Sequence, residues 1–270
     1  MGCRLTWPTD TTIRCQGKLT AGTYTIDGGV SSQFITGLLF AAALIPGDCR
    51  ILLEGKIESR PYIQMTQKAL SLFSVDSTDF TLSGEKTFHS PGTLTVEGDW
   101  SNGAFFLAAN TLGNQLTVEN LREDSCQGDR LIADLLPMLS DTPTISVADI
   151  PDLTPILAVT AACCNGAVFK DIRRLRLKES DRVQSILEMI TALGGRGEAT
   201  EDTLTIYGTG LFGGTVDGKN DHRIAMSAAI AATVCKEDVT ILGADCVRKS
   251  YPGFFKEYAR LGGIYEQHIR

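Results

Sequence analysis

Hydrophobic and polar positions alternate and then cluster four times along the chain. Each time, an alternating stretch of strand character ends at a polar, turn-prone knot and passes into a helix-length run of small apolar residues: "TYTIDGGVSSQFITGLLFAAAL", "LTVEGDWSNGAFFLAANTL", "TISVADIPDLTPILAVTAACC" and "GTVDGKNDHRIAMSAAIAATV". The helices predicted from runs such as "AVTAACC" and "IAMSAAIAA" have no polar face, so they should be buried on every side. A β-branched or leucine-rich run follows each of them ("CRILLEG", "QLTVEN", "AVFKDI", "DVTILGAD"), and then a second helix. The second helix of the third unit is one-sided: Val183, Ile186, Leu187, Ile190 and Leu193 keep the i, i+3, i+4, i+7 spacing, and Gly194 and Gly195 supply a stop. The pattern predicts an α/β protein with buried small-residue helices inside and sheets with amphipathic helices around them. A boundary is expected in "SPGTLTVEG", Ser90 to Gly98, where one unit closes and the next begins.

If the buried helices start near one another, their free N–H groups and macrodipoles collect anion sites in one place. The knots carry suitable chemistry. They contribute Asp27 with Ser31 and Ser32, Asp99 with Ser101, Asp152, and Asn220 with Asp221, His222 and Arg223. The stretch "RLRLKESDR", Arg174 to Arg182, adds four cations and two carboxylates just ahead of the one-sided helix. Such runs also form solvated helix starts held by ion pairs. Here the run follows the strand "AVFKDI", so the chain turns at a sheet edge, where sites form. Lys178 and Arg182, read as one helical turn apart, could grip one phosphate or carboxylate, and Glu179 beside them could exchange a proton. Asp221 could be a plain N-cap with Arg223 exposed, and Ser31 a plain serine cap. "SRPYI" (Ser59, Arg60, Tyr62) and "RKSYPGFF" (Arg248, Lys249) are weak signals by themselves.

Composition narrows the classes. The chain has 270 residues, a formal charge of -7 and 43% hydrophobic residues, enough apolar material for one large or two ordinary domains. Net acidity argues against a general nucleic-acid binder, so any anion site is local. No apolar run reaches membrane-spanning length and the start lacks the blocks of a signal peptide, so a cytoplasmic protein without a membrane partner is expected. The eight cysteines are scattered, without CxxC pairs or metal-ligand spacing. They read as structural thiols in a reducing compartment.

The ordered set "DGGVSSQF", "IPD", "RLKESDR", "NDHRIAMS" and "RKSYPGFF" resembles the 5-enolpyruvylshikimate-3-phosphate synthase family. The resemblance implies an inside-out α/β fold of repeated units, four of the family's six in this chain, with residues 1–95 the remnant of a first, substrate-phosphate domain and 96–270 a second. It implies transfer of the enolpyruvyl group of phosphoenolpyruvate to the 5-hydroxyl of shikimate 3-phosphate, with release of phosphate and no metal or organic cofactor. Position by position, Ser31, Ser32, Gln33, Ser59 and Tyr62, with Asp152 and Lys178, look like the shikimate 3-phosphate pocket. Gln33, Arg182, Arg223 and Lys249 look like the phosphoenolpyruvate contacts. Asp152 resembles the family's proton acceptor for the 5-hydroxyl and Glu179 the carboxylate that handles the methylene proton.

The chain departs from the family in having no match to its "DKSISHR"-like and "NAGT"-like segments, which carry a further lysine and arginine. A C-terminal portion, completed by an N-terminal chain or inactive alone, is therefore expected. Two other functions stay open: a non-catalytic remnant that keeps the phosphate pocket, and UDP-N-acetylglucosamine enolpyruvyl transfer, which "RLKESDR" and "NDHRIAMS" disfavour.

Overall fold

The computed structural model describes residues 2–29 and 31–268. The chain divides into two units, Met1–Val96 and Glu97–Arg270.

In the first unit, strands β1 (Cys3–Thr9) and β2 (Thr12–Gly17) form an antiparallel hairpin with nearly every side chain exposed. Strand β3 (Gly22–Asp27) leads into helix α1 (Ser32–Leu44), which returns the chain to β4 (Cys49–Glu54), parallel to β3. Helix α2 (Arg60–Leu72) follows, and the short β5 (Thr81–Leu82) closes the sheet antiparallel to β4. Alternation in β4 turns Cys49 and Ile51 inward onto Ile35, Leu39, Ala42 and Ala43 of α1 and Ile63 and Leu70 of α2. The opposite face of α1 carries Phe34, Phe40 and Leu44, all exposed, Leu44 to 75%. Burial on every side, predicted for each small-residue helix, therefore does not hold for α1. Among the described residues of its unit, none covers that face.

The second unit fulfils that expectation. Helices α3 (Trp100–Thr111), α5 (Thr154–Cys163) and α7 (His222–Ala232) pack on one another, and nearly all their side chains are buried. Alanines at 104, 108, 158, 161, 225, 228 and 231 are fully buried; small side chains let three helices meet closely, and each brings apolar area out of water. Around them lie α4 (Ile132–Met138), the sheet β6 (Thr144–Ser146), β7 (Gly166–Lys170), β9 (Thr203–Tyr207), β8 (Arg196–Ala199), the helix α6 (Arg182–Ala192), the parallel pair β10 (Gly214–Asp217) and β11 (Val239–Leu242), and α8 (Phe254–Arg260). The amphipathic α6 buries Val183, Ile186, Met189 and Ile190 and ends as the sequence predicts, with Gly194 at a left-handed φ of 79° and the Gly195 N–H donating to the Ile190 carbonyl at 2.8 Å.

One strand is missing. "LTVEG" is irregular, and its end meets "QLTVEN" through the backbone bond from Gly98 N–H to the Asn120 carbonyl (2.7 Å). Val96 is 77% exposed and Leu94 is also exposed, so alternation there has no core to face, and a lone two-stranded pair cannot offset its ordering entropy. The pair β10/β11 persists because Val216 is buried against the central helices. Among the described residues no helix is long and apolar enough to cross a membrane.

Candidate active site

Three chain segments deliver charged groups to one place in the second unit. The first is the turn before α5, carrying Asp152. The second is the segment between β7 and α6. Its Arg173–Leu177 part is a 3-10 turn, Lys178 is extended, and Asp181 caps α6 by accepting from the Gln184 N–H. Lys178 and Arg182 are therefore not one helical turn apart, as read from sequence, because α6 begins only at Arg182. They converge all the same, Lys178 Nζ at 3.6 Å and Arg182 Nη1 at 2.6 Å from Asp152 Oδ1. The third segment is the start of α7, where buried Asp221 caps the helix through the Arg223 N–H (3.0 Å).

Arg182 is the hub. It is fully buried, and its guanidinium donates to Asp152 Oδ1 (2.6 Å), Glu179 Oε2 (2.6 Å) and Asp221 Oδ2 (2.8 Å). A buried cation is tolerable only with such partners, and removing one member leaves uncompensated charge behind. Burial disfavours the charged guanidinium, but Asp152 and Asp221 more than offset it and raise its pKa further. Asp152 is the mirror case. Burial opposes its charge, yet Arg182, Arg223 and Lys178 hold its carboxyl well below the usual carboxylate range.

Arg223 is buried, not exposed as a simple capping arrangement would leave it. Nη1 donates to the Ser101 carbonyl (3.1 Å), Nη2 lies 3.6 Å from Asp152 Oδ2, and the guanidinium sits 5.9 Å from the Phe105 ring centroid. Its Nε has no hydrogen-bond partner among the described residues. His222 is buried beside it with Nδ1 also unpartnered, and burial, helped by Arg223, lowers its pKa and favours neutral imidazole. Lys249, at the end of a 3-10 turn, donates from Nζ to the Asn220 carbonyl at the approach to α7.

The charge run splits in two. Arg173 and Arg176 reach the surface and pair with Glu201, Asp202 and Asp181, as a solvated face would. Lys178 and Arg182 turn inward, and half-exposed Glu179 pairs with Arg182. The first-unit candidates are described separately. Ser31 caps α1 by accepting from the Gln33 N–H (3.3 Å), Ser32 is buried in its first turn, and Gln33 is exposed. Ser59, buried, precedes α2 in the left-handed conformation (φ 54°), and its carbonyl accepts from the Tyr62 N–H. The sequence reading missed Asp129, an acid in "QGDRL" buried near Arg223. Its signal was a carboxylate just ahead of an apolar helix. Among the described residues no cluster of His, Cys, Asp and Glu is arranged to hold a metal, and all the described cysteines, eight in number, are free.

Small-residue helices buried inside an α/β shell give this chain the fold of solved enolpyruvyl transferases. The solved structures agree: EPSP synthase from Acinetobacter baumannii superposes with a TM-score of 0.77 at 21% identity, over 98% of this chain and 69% of that one. The enolpyruvyl transferase NikO from Streptomyces tendae follows at 0.68 and 16%, over 97% and 69%. The chain belongs to the EPSP synthase (3-phosphoshikimate 1-carboxyvinyltransferase) family, whose model matches residues 8–142 and 138–258. Relatives bearing the name 3-phosphoshikimate 1-carboxyvinyltransferase are 38% identical in Clostridium kluyveri and 34% in Clostridium beijerinckii. Each alignment covers 94% of this chain, which spans 65% and 64% of those relatives' lengths.

Proposed function

We propose that this chain carries the second-unit part of a site that transfers the enolpyruvyl group of phosphoenolpyruvate to the 5-hydroxyl of shikimate 3-phosphate, a step of aromatic amino-acid biosynthesis in the cytoplasm. The observation that carries the reading is the convergence of Lys178, Arg182 and Arg223 on Asp152, with Glu179 on the same Arg182. Two carboxylates among three cations suit an addition followed by an elimination. In the addition, Asp152 takes the proton of the attacking hydroxyl, the new C–O bond forms, and Glu179 protonates the methylene carbon to a methyl group. In the elimination, the methyl group returns its proton to a carboxylate as phosphate leaves. The cations stabilise the charge of the tetrahedral adduct.

Asp152 is held far from its proton by the three cations, which makes it a poor base in the free site. Anionic substrates that engage those cations share their charge and restore its basicity, so base strength arrives with substrate. Arg182 is fully engaged by its own carboxylates, so a ligand carboxylate reaching it must displace Glu179, the half-exposed partner. That displacement would free Glu179 for proton transfer. Lys249 and, in the first unit, Ser31, Ser32, Gln33, Ser59 and Tyr62 are proposed as further substrate contacts on the strength of the family resemblance.

The proposed test is phosphate release by the purified chain with shikimate 3-phosphate and phosphoenolpyruvate, with UDP-N-acetylglucosamine as the alternative acceptor. Asp152→Asn and Glu179→Gln should each lower turnover by about 100-fold or more. A folded wild-type chain without turnover contradicts catalysis by this chain alone. A second reading, a binding fragment that works only with a complementing chain, is favoured by the exposed apolar stripe of α1. Binding of shikimate 3-phosphate without turnover supports it, and recovery on adding a chain that carries the absent "DKSISHR"-like segment would establish it.

A further inference from the structure

Lys178, Glu179 and Ser180 bridge from the Arg173–Leu177 turn to the Asp181 cap of α6 outside any helix or strand. Side-chain contacts therefore decide where this stretch sits. Lys178 faces Asp152 at 3.6 Å, Glu179 accepts from Arg182 at 2.6 Å, and the half-buried Ser180 hydroxyl donates to Asp221 Oδ2 at 3.1 Å. The first two involve Lys178 and Arg182, the cations that an anionic ligand would take over. The third goes to a carboxylate with no solvent-exposed surface, so it survives the arrival of a ligand.

The Ser180 hydroxyl is itself aimed. Ser185, buried in the first turn of α6, donates its one hydroxyl proton to Ser180 Oγ (2.9 Å). Ser180 then spends its own proton on Asp221, since an ionised carboxylate can only accept. Asp221 Oδ2 also takes Arg182 Nε (2.8 Å), and its Oδ1 takes the Arg223 N–H (3.0 Å). One carboxylate thus joins residues 178–180 to the starts of α6 and α7. It holds Arg182 from the Nε side, while Nη1 and Nη2 donate at 2.6 Å to Asp152 and Glu179. Hydrogen bonds to a charged acceptor are among the stronger ones, so this chain of hydroxyls can anchor backbone that has no ladder of its own.

We propose that Ser180 is a positioning residue for Glu179: hydrogen-bonded from Ser185 and to Asp221, it anchors the backbone beside Glu179, which stays at the site after a ligand carboxylate has taken its place on Arg182. Consecutive α-carbons are about 3.8 Å apart, so an anchored Ser180 confines Glu179 to the swing of its own side chain. Arg182 keeps its bond to Asp221 with or without the Ser180 hydroxyl. The tether therefore governs proton transfer and leaves ligand affinity alone. This rests on the reading of Glu179 as the carboxylate that moves the methylene proton.

The test compares the full chain with Ser180→Ala, Ser180→Thr, Ser185→Ala and Glu179→Gln, each with phosphoenolpyruvate plus shikimate 3-phosphate. With both ligands bound, the NMR order parameter of the Glu179 amide should be about 0.85 in wild type and Ser180→Thr and below about 0.6 in Ser180→Ala. Ser185→Ala, which cuts the chain one bond earlier, should loosen Glu179 in the same direction. In phosphate release, Ser180→Ala should lower kcat about tenfold with KM for phosphoenolpyruvate within about twofold, and Ser180→Thr should recover kcat to within about threefold. A chain that binds both ligands without turnover is judged by the order parameters alone. An ordered Glu179 amide in Ser180→Ala, or Ala and Thr variants that behave alike, overturns the proposal and leaves the proposed function standing. Undiminished turnover in Glu179→Gln removes the proton role of Glu179 and the proposal with it. A wild-type chain whose Arg182 Nε–H signal ignores both ligands loses the anion site and the proposal together.

Discussion

The two units start from the same strand, knot and helix pattern and reach different ends. In the second, three small-residue helices close on one another, and the starts of α5, α6 and α7 gather buried Arg182, Arg223 and Asp221 around half-buried Asp152. In the first, α1 is alone among helices of its kind, buried on the β4 side and bare at Phe34, Phe40 and Leu44. A helix without a polar face requires cover on all sides. What separates the units is therefore how many such helices each contains, since one alone cannot bury itself. The site's charges are dry only where three helix starts exclude water from them.

The largest effect is expected at the hub. Arg182→Ala leaves Asp152, Glu179 and Asp221 without their shared cation, and urea unfolding of the second unit should lose about 3–5 kcal/mol or show no folded state. An Arg182 variant as stable as wild type would mean the network is not closed. Next come matched apolar truncations. Leu157→Ala in α5, fully buried, should cost about 2–5 kcal/mol. Phe40→Ser on the bare face of α1 should cost less than about 1 kcal/mol while reducing self-association in sedimentation velocity. Equal costs would erase the contrast between the units.

Acid titration sharpens the comparison further. Asp152 binds its proton more weakly folded than unfolded, so its contribution is complete above its unfolded pKa of about 4 and is lost as pH falls below that. Asp152→Asn should flatten the decline of second-unit stability between about pH 4 and pH 2; a decline as steep as wild type would show that the carboxylate is not held by its cations. The smallest effect is at the surface half of the charge run, where Arg173→Ala should change stability by about 0.5 kcal/mol or less.

Much of this was legible in the sequence because burial and helix starts are local signals. The runs ending in "AVTAACC" and "IAMSAAIAA" announced helices with no solvent face, and Gly194 with Gly195 marked where α6 stops. Residues 178 to 182 were readable as a candidate site because their charge precedes a core helix. What escaped depends on cover supplied from far along the chain. "LTVEG" alternates like a strand but has nothing to bury against, and α1 looks like α7 until its neighbours are counted. The spacing of Lys178 and Arg182 suggested a helical grip, whereas Asp181 caps α6 and puts Lys178 outside it; only the fold shows that both meet on Asp152. Asp129 left only a weak signal, because a single acid ahead of an apolar helix acquires meaning from its burial.

The most direct measurement is native-state hydrogen exchange across the chain with and without phosphoenolpyruvate and shikimate 3-phosphate. Amides of α5 and α7 should exchange only through global opening of the second unit, those of α1 at least about 100-fold faster, with ligand slowing the start of α7 further. Exchange in α1 as slow as in α7, or a start of α7 indifferent to ligand, would contradict a closed second unit that carries the anion site and a first unit whose helix is uncovered.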